Sequence, residues 1–114
     1  ASAYNPDVLV LDNRNLKNEP LFARVSTVSS SESIPLVVEV VNTNWHDDYA
    51  LKFDDYETIG IPEYLIVDFL GKGGRQFIGN PKHPTITVCL LENGEYKSNL
   101  YRDDEVIKLK SFPE

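Results

Sequence analysis

The 114-residue sequence predicts a single α/β (α+β) domain, a mixed β-sheet with one central helix. Two patterns carry that prediction. Aliphatic runs at residues 34–41 and 63–69 flank a helical stretch, and a strand–helix–strand succession with short connections implies parallel strands and a right-handed crossover. Further on, "TITVCLLENGEYKSNLYR" alternates on both sides of Asn93-Gly94, a strong signal for an antiparallel hairpin with a type I′ turn.

The elements follow in chain order. "YNPDVLVLD", residues 4–12, has a short apolar core from Val8 to Leu11 behind an Asn-Pro lead-in and reads as a strand. Residues 13–33 turn polar, with the run Ser29-Ser30-Ser31, and read as a loop with one short strand or turn. Residues 34–41, "IPLVVEVV", are aliphatic apart from Pro35 and Glu39, which suits a central strand covered on both faces. Thr43 and Asn44 are candidate helix N-caps, and Asp47 and Asp48 fall in the first turn, where carboxylates suit the helix dipole. The helix should end near Gly60, with Pro62 just beyond it. "EYLIVDF" is then the second strand of the crossover. Residues 71–84 form a loop rich in glycine and proline, with Lys72, Arg75, Lys82 and His83 but no acid. Residues 105–110 alternate weakly and are a candidate edge strand. One helix is thin cover for a parallel sheet, so an N-terminal segment or a second subunit is expected against the other face.

Hydrophobic residues make up 41% and charged residues 25%, a globular balance that sets aside disordered and membrane classes. No apolar run approaches the roughly 20 residues of a membrane helix. The chain opens without a signal-peptide pattern, and a single cysteine, Cys89, leaves no internal disulfide to form. A reducing, cytoplasmic setting is therefore expected. The formal charge of −7 argues against broad attraction to nucleic acid, but net charge averages over local acidic and basic patches.

Glu39 is the residue that points to chemistry. An unpaired buried carboxylate costs several kcal/mol, so such groups are paired, protonated or bound to a metal. At 100° per residue, Trp45, Tyr49, Lys52, Tyr56 and Ile59 fall on one helical stripe facing the sheet, with Lys52 near its centre. Asp48 precedes Lys52 by four residues and can pair with it. Taken alone, Lys52 lays its methylenes on the aromatics and sends its amine to water. Taken alone, Asp7 is an exposed carboxylate at a strand end. Together, two acids on adjacent strands and a nearby lysine have a chemical use. The carboxylates hold a hard divalent cation such as Mg²⁺, which polarises a phosphodiester and acidifies a water. The lysine orients that water or offsets developing negative charge.

These residues also carry a resemblance. "IPLVVEVVNTNWHDDYALKFDDYETIGIPEYLIVDF", with "NPDVLVLD" before it and "PTITVCLLENGEY" after it, resembles the Uma2 family of the PD-(D/E)XK nuclease superfamily. The matching positions are Pro6-Asp7, Glu39-Val40, Asp48 with Lys52 and Tyr56, and Gly60 through Tyr64 to Asp68. The resemblance implies a restriction-endonuclease-like core and a Mg²⁺- (or Mn²⁺-) dependent endonuclease acting on DNA. Asp7, Glu39 and Lys52 would be catalytic, with Asp7 and Glu39 the metal ligands. The superfamily pattern E-x-K would put its lysine at Val41, so Lys52, moved onto the following helix, is expected to replace it. Family members begin with further helices and strands that carry another glutamate. Residues 1–114 are thus expected to be one Uma2-like domain truncated at its N-terminus, used as a homodimer.

Lys72, Arg75 and Lys82 are the candidate DNA-backbone contacts, against the plainer reading of a flexible connection. Gly71-Lys72-Gly73-Gly74-Arg75 lacks phosphate-loop spacing. His46 and His83 are too isolated for a zinc site. Cys89, Trp45 and the tyrosines read as core, Glu63 as a support of the helix–strand turn, and Asp68 as a strand-end residue. The non-catalytic alternative is a nuclease-like module for dimerisation or partner binding, with Glu39–Lys52 a structural ion pair.

Overall fold

The computed structural model describes residues 7–11, 33–42, 45–79, 81–102, 107 and 109. Five strands form one sheet in sequential order: β1 (Val8–Val10), β2 (Leu36–Val40), β3 (Glu63–Asp68), β4 (Thr85–Glu92) and β5 (Glu95–Arg102). The sheet is mixed, as expected. β2 and β3 are parallel, and the β1–β2, β3–β4 and β4–β5 pairs are antiparallel. The hairpin between β4 and β5 turns at Asn93 (φ 54°) and Gly94 (φ 82°), the left-handed pair that a type I′ turn requires.

The β2–β3 crossover differs from the regular helix expected. Among the described residues it is helical from Trp45, the expected N-caps Thr43 and Asn44 lying outside them; Asp47–Leu51 form a π-helical turn, and Lys52–Ile59 (α1) is the α-helix that follows. The wider turn rotates the stripe that follows it. Tyr49 and Tyr56 are buried and Phe53 packs against the same core, whereas Ile59, placed on the stripe by a uniform 100° step, is 43% exposed. Gly60 ends α1 in the left-handed region at φ 94°, and its N–H donates to the Tyr56 carbonyl. The glycine-rich loop is also more ordered than expected: Arg75–Ile78 form one turn of helix, α2.

Alternation splits the sheet into two faces. Val37, Val41, Tyr64, Ile66, Cys89 and Tyr96 meet Tyr49, Tyr56 and Ile78 on the helical side. Leu36, Leu65 and Val88 form a smaller cluster on the other side, joined by Ile107 and Leu109. Those two residues are the described part of the tail, and neither is in a strand. The loop expected at residues 13–33 lies outside the described residues save for Ser33. Among the described residues no helix is long and apolar enough to cross a membrane.

Candidate functional site

The site is assembled at the carboxyl ends of the parallel strands, where open α/β sheets place their ligands. Val8 pairs with Val38, and extending that antiparallel register by one residue sets Asp7 across from Glu39. Two bonds stitch the pair together. The Asp7 backbone N–H donates to Glu39 Oε1 at 3.4 Å, and the Val40 N–H donates to Asp7 Oδ2 at 2.7 Å.

Glu39 shares the helical face of β2 with Val37 and Val41 and is 1% exposed. Its carboxylate collects donors from α1. The Tyr56 hydroxyl donates to Oε2 at 2.8 Å, and Lys52 Nζ lies 3.4 Å from Oε1. Lys52 also reaches Asp48 Oδ1 at 3.3 Å, so one ammonium serves two buried carboxylates. Lys52 therefore turns inward, and the solvent-seeking alternative is not what the fold adopts. Val41, where the E-x-K pattern would have put a lysine, is buried in the apolar core.

Asp48 sits in the π-helical turn, and its backbone carbonyl is taken by the Tyr64 hydroxyl at 2.7 Å.

Electrostatics follow from burial. Desolvation raises the Glu39 carboxyl above the ordinary carboxylate range, although the Tyr56 hydroxyl, Lys52 and the Asp7 N–H all pull it down; the Asp7 charge adds to the rise. Burial likewise raises Asp48, against the pull of Lys52. For Lys52 burial works against the charged form, but the Glu39 and Asp48 carboxylates outweigh it and its pKa rises. The ammonium stays charged.

This donor set fits a hard divalent cation. Two acids meet the Lys52 ammonium and a third, Asp7, bonds to the same stretch of β2. All the metal-capable groups are oxygens, and burial penalises the negative charge left over. Among the described residues no group of three His, Cys, Asp or Glu side chains is placed to share one ion.

A further carboxylate, Asp68 at the end of β3, organises the basic loop. It accepts from the Lys72 N–H at 2.8 Å, the Gly73 N–H at 2.7 Å and the Tyr49 hydroxyl at 3.2 Å. β3 and β2 run parallel and Thr85 pairs with Asp68, so residues 69–84 leave and rejoin the sheet at the end where Glu39 lies. Lys72 is partly exposed, and Arg75 and Lys82 are exposed. Trp45 and Tyr49 are held under this loop by close approach to Gly74 and Gly73.

The family model for Uma2, described as "Putative restriction endonuclease", matches residues 1–114. The chain belongs to the Uma2 family. No curated protein and no solved structure gives a significant match. Membership in Uma2 places the chain in a nuclease family, and its mixed sheet with helical cover agrees with a restriction-endonuclease-like α/β fold. Within this Uma2 chain Asp7, Glu39 and Lys52 come together, while Lys72, Arg75 and Lys82 lie on a separate loop at the same end of the sheet. Sequence reasoning took Tyr56 and Tyr64 as core. Both are buried, but their hydroxyls bond the site, and only a long-range partner, invisible in a helical pattern, distinguishes such a tyrosine from a purely apolar one.

Proposed function

We propose that this Uma2 chain hydrolyses DNA phosphodiester bonds, with Asp7 and Glu39 as ligands of a divalent cation, Mg²⁺ or Mn²⁺, and Lys52 as the cationic group beside the reacting phosphate. The observation that carries the reading is the meeting of Lys52 with Glu39 at 3.4 Å, next to an Asp7 bonded to the same stretch of β2. A bound cation of this kind supplies electrophilic polarisation of the phosphate and a more acidic water.

The chain's own residues do the rest. Lys52, kept charged by Glu39 and Asp48, donates hydrogen bonds to the negative charge that develops on the phosphoryl oxygens. The Tyr56 hydroxyl and the Asp7 N–H hold the Glu39 carboxylate in one orientation before substrate arrives. Lys72, Arg75 and Lys82 contact backbone phosphates, which supplies affinity without sequence preference. Asp68 anchors the start of that loop, which favours a defined path for the DNA. Cys89, buried and reduced, suits the cytoplasmic setting expected of a nuclease. The non-catalytic module would keep the same Glu39–Lys52 contact as a structural ion pair, and the cleavage assay below separates it from the nuclease.

The test is a Mg²⁺ or Mn²⁺ titration with cleavage of DNA as readout. Wild type should cleave in proportion to cation occupancy, and Glu39→Gln and Lys52→Ala should each lose at least about 100-fold in rate. Cleavage unaffected by either substitution would end this assignment.

A further inference from the structure

The ammonium of Lys52 lies between two acids, and their surroundings are unequal. Glu39 has other donors, the Tyr56 hydroxyl at 2.8 Å and the Asp7 N–H at 3.4 Å. Asp48 is 2% exposed, and among the described residues Lys52 is the one donor its carboxylate meets. A buried carboxylate deprived of its cation is strongly destabilised, so Asp48 depends on Lys52 in a way that Glu39 does not.

Geometry points the same way. Asp48 and Lys52 stand four residues apart on one helical segment, so their approach is set locally. Glu39 belongs to a strand, and its contact with Lys52 depends on how the helix sits on the sheet. The Asp48 backbone is itself fixed, because the fully buried Tyr64 bonds its carbonyl at 2.7 Å. Tyr64 projects from β3, the strand beside the one that carries Glu39.

We infer that Asp48 is the positioning residue of Lys52, holding the ammonium at the site whether or not Glu39 is engaged, and that Tyr64 sets Asp48 through its backbone carbonyl. Asp48 touches no reacting atom in this arrangement. It keeps Lys52 aimed at the place the phosphate occupies while the Glu39 carboxylate takes part in other contacts. The value of this to the reaction rests on the nuclease reading above, but the contact itself does not.

The experiment is therefore done without DNA or metal. In ¹⁵N-labelled protein at low temperature and mildly acidic pH, a held lysine ammonium exchanges slowly enough to give its own ¹H–¹⁵N correlation. The Lys52 signal is assigned by its absence from Lys52→Arg. The signal should be present in wild type and in Glu39→Gln, and lost in Asp48→Asn. Loss in Glu39→Gln, persistence in Asp48→Asn, or absence from wild type would each overturn the inference. Should Asp48→Asn fail to fold, the Glu39→Gln spectrum decides alone, persistence supporting the inference and loss refuting it. Where wild type cleaves DNA, Asp48→Asn should lower kcat at least tenfold with KM for DNA within twofold of wild type. A protein that keeps the Lys52 signal but cleaves nothing leaves the positioning role standing and removes the nuclease reading.

Discussion

Glu39 has three donors around it and is still harder to ionise than an exposed carboxylate, because burial outweighs them. The sign of the stability effect follows. Between the ordinary value of 4.5 and its raised folded value, the folded chain keeps a proton that the unfolded chain has released. Stability attributable to Glu39 is therefore present at low pH and declines as pH rises through that window. Glutamine cannot ionise, so the melting temperature of wild type minus that of Glu39→Gln should become more negative between about pH 4 and about pH 8. A difference that moves the other way would mean that the carboxylate is better compensated than its burial implies. Tyr56→Phe removes a buried hydrogen bond to the Glu39 carboxyl and should cost about 1–3 kcal/mol in urea denaturation. The pairing of Glu39 with Lys52 was legible in the sequence, because a charge interrupting an apolar strand and a lysine on an apolar stripe both call for a partner. The hydroxyl of Tyr56 was not, since nothing local separates it from an ordinary core tyrosine.

At the level of elements, the segment from Trp45 to Ile59 is where pattern reading and structure part. A uniform 100° step puts Lys52 and Tyr56 on the inner face, which holds, and Ile59 with them, which does not. The π-helical turn is the physical reason, and the Tyr64 hydroxyl, sixteen positions along the chain, bonds a carbonyl within it. The ends of elements were easier to read. Gly60 and Asn93-Gly94 adopt the positive φ values for which their types are suited. The loop at 71–79 hides its constraint. A Cβ on Gly73 would lie 2.7 Å from the Tyr49 ring and 3.0 Å from Asp68 Oδ2, so the loop is packed down rather than loose. Gly73→Ala should lower stability by about 1–3 kcal/mol, read as a shift in the denaturation midpoint. An unchanged midpoint would show that the loop relaxes freely.

The whole molecule carries an excess of acid, yet its longest acid-free basic segment lies at the same end of the sheet as the buried carboxylates. Charge is thus segregated locally while the sum stays at −7. The mixed sheet and the location of its parallel pair were legible, because the strand–helix–strand order and the Asn-Gly turn leave few alternatives. The order within residues 71–84 was not, because α2 is a single turn held by tertiary packing of Phe77 and Ile78. If the basic segment tracks DNA, replacing Lys72, Arg75 and Lys82 by alanine should reduce the slope of log K against log salt by about 0.9 for each phosphate that is no longer neutralised. Fluorescence anisotropy over a salt series measures it, and an unaltered slope would remove the segment from the interface.

The central claim is that Asp7 and Glu39 bind the cation and Lys52 does not. Titration calorimetry with Mg²⁺ on wild type, Asp7→Asn, Glu39→Gln and Lys52→Ala tests it most directly. Both acid variants should bind at least about tenfold more weakly than wild type. Lys52→Ala, relieved of a like charge, should bind as tightly or more tightly while cleaving no DNA. Undiminished Mg²⁺ affinity in Asp7→Asn and Glu39→Gln, or affinity that disappears with Lys52, would contradict the account.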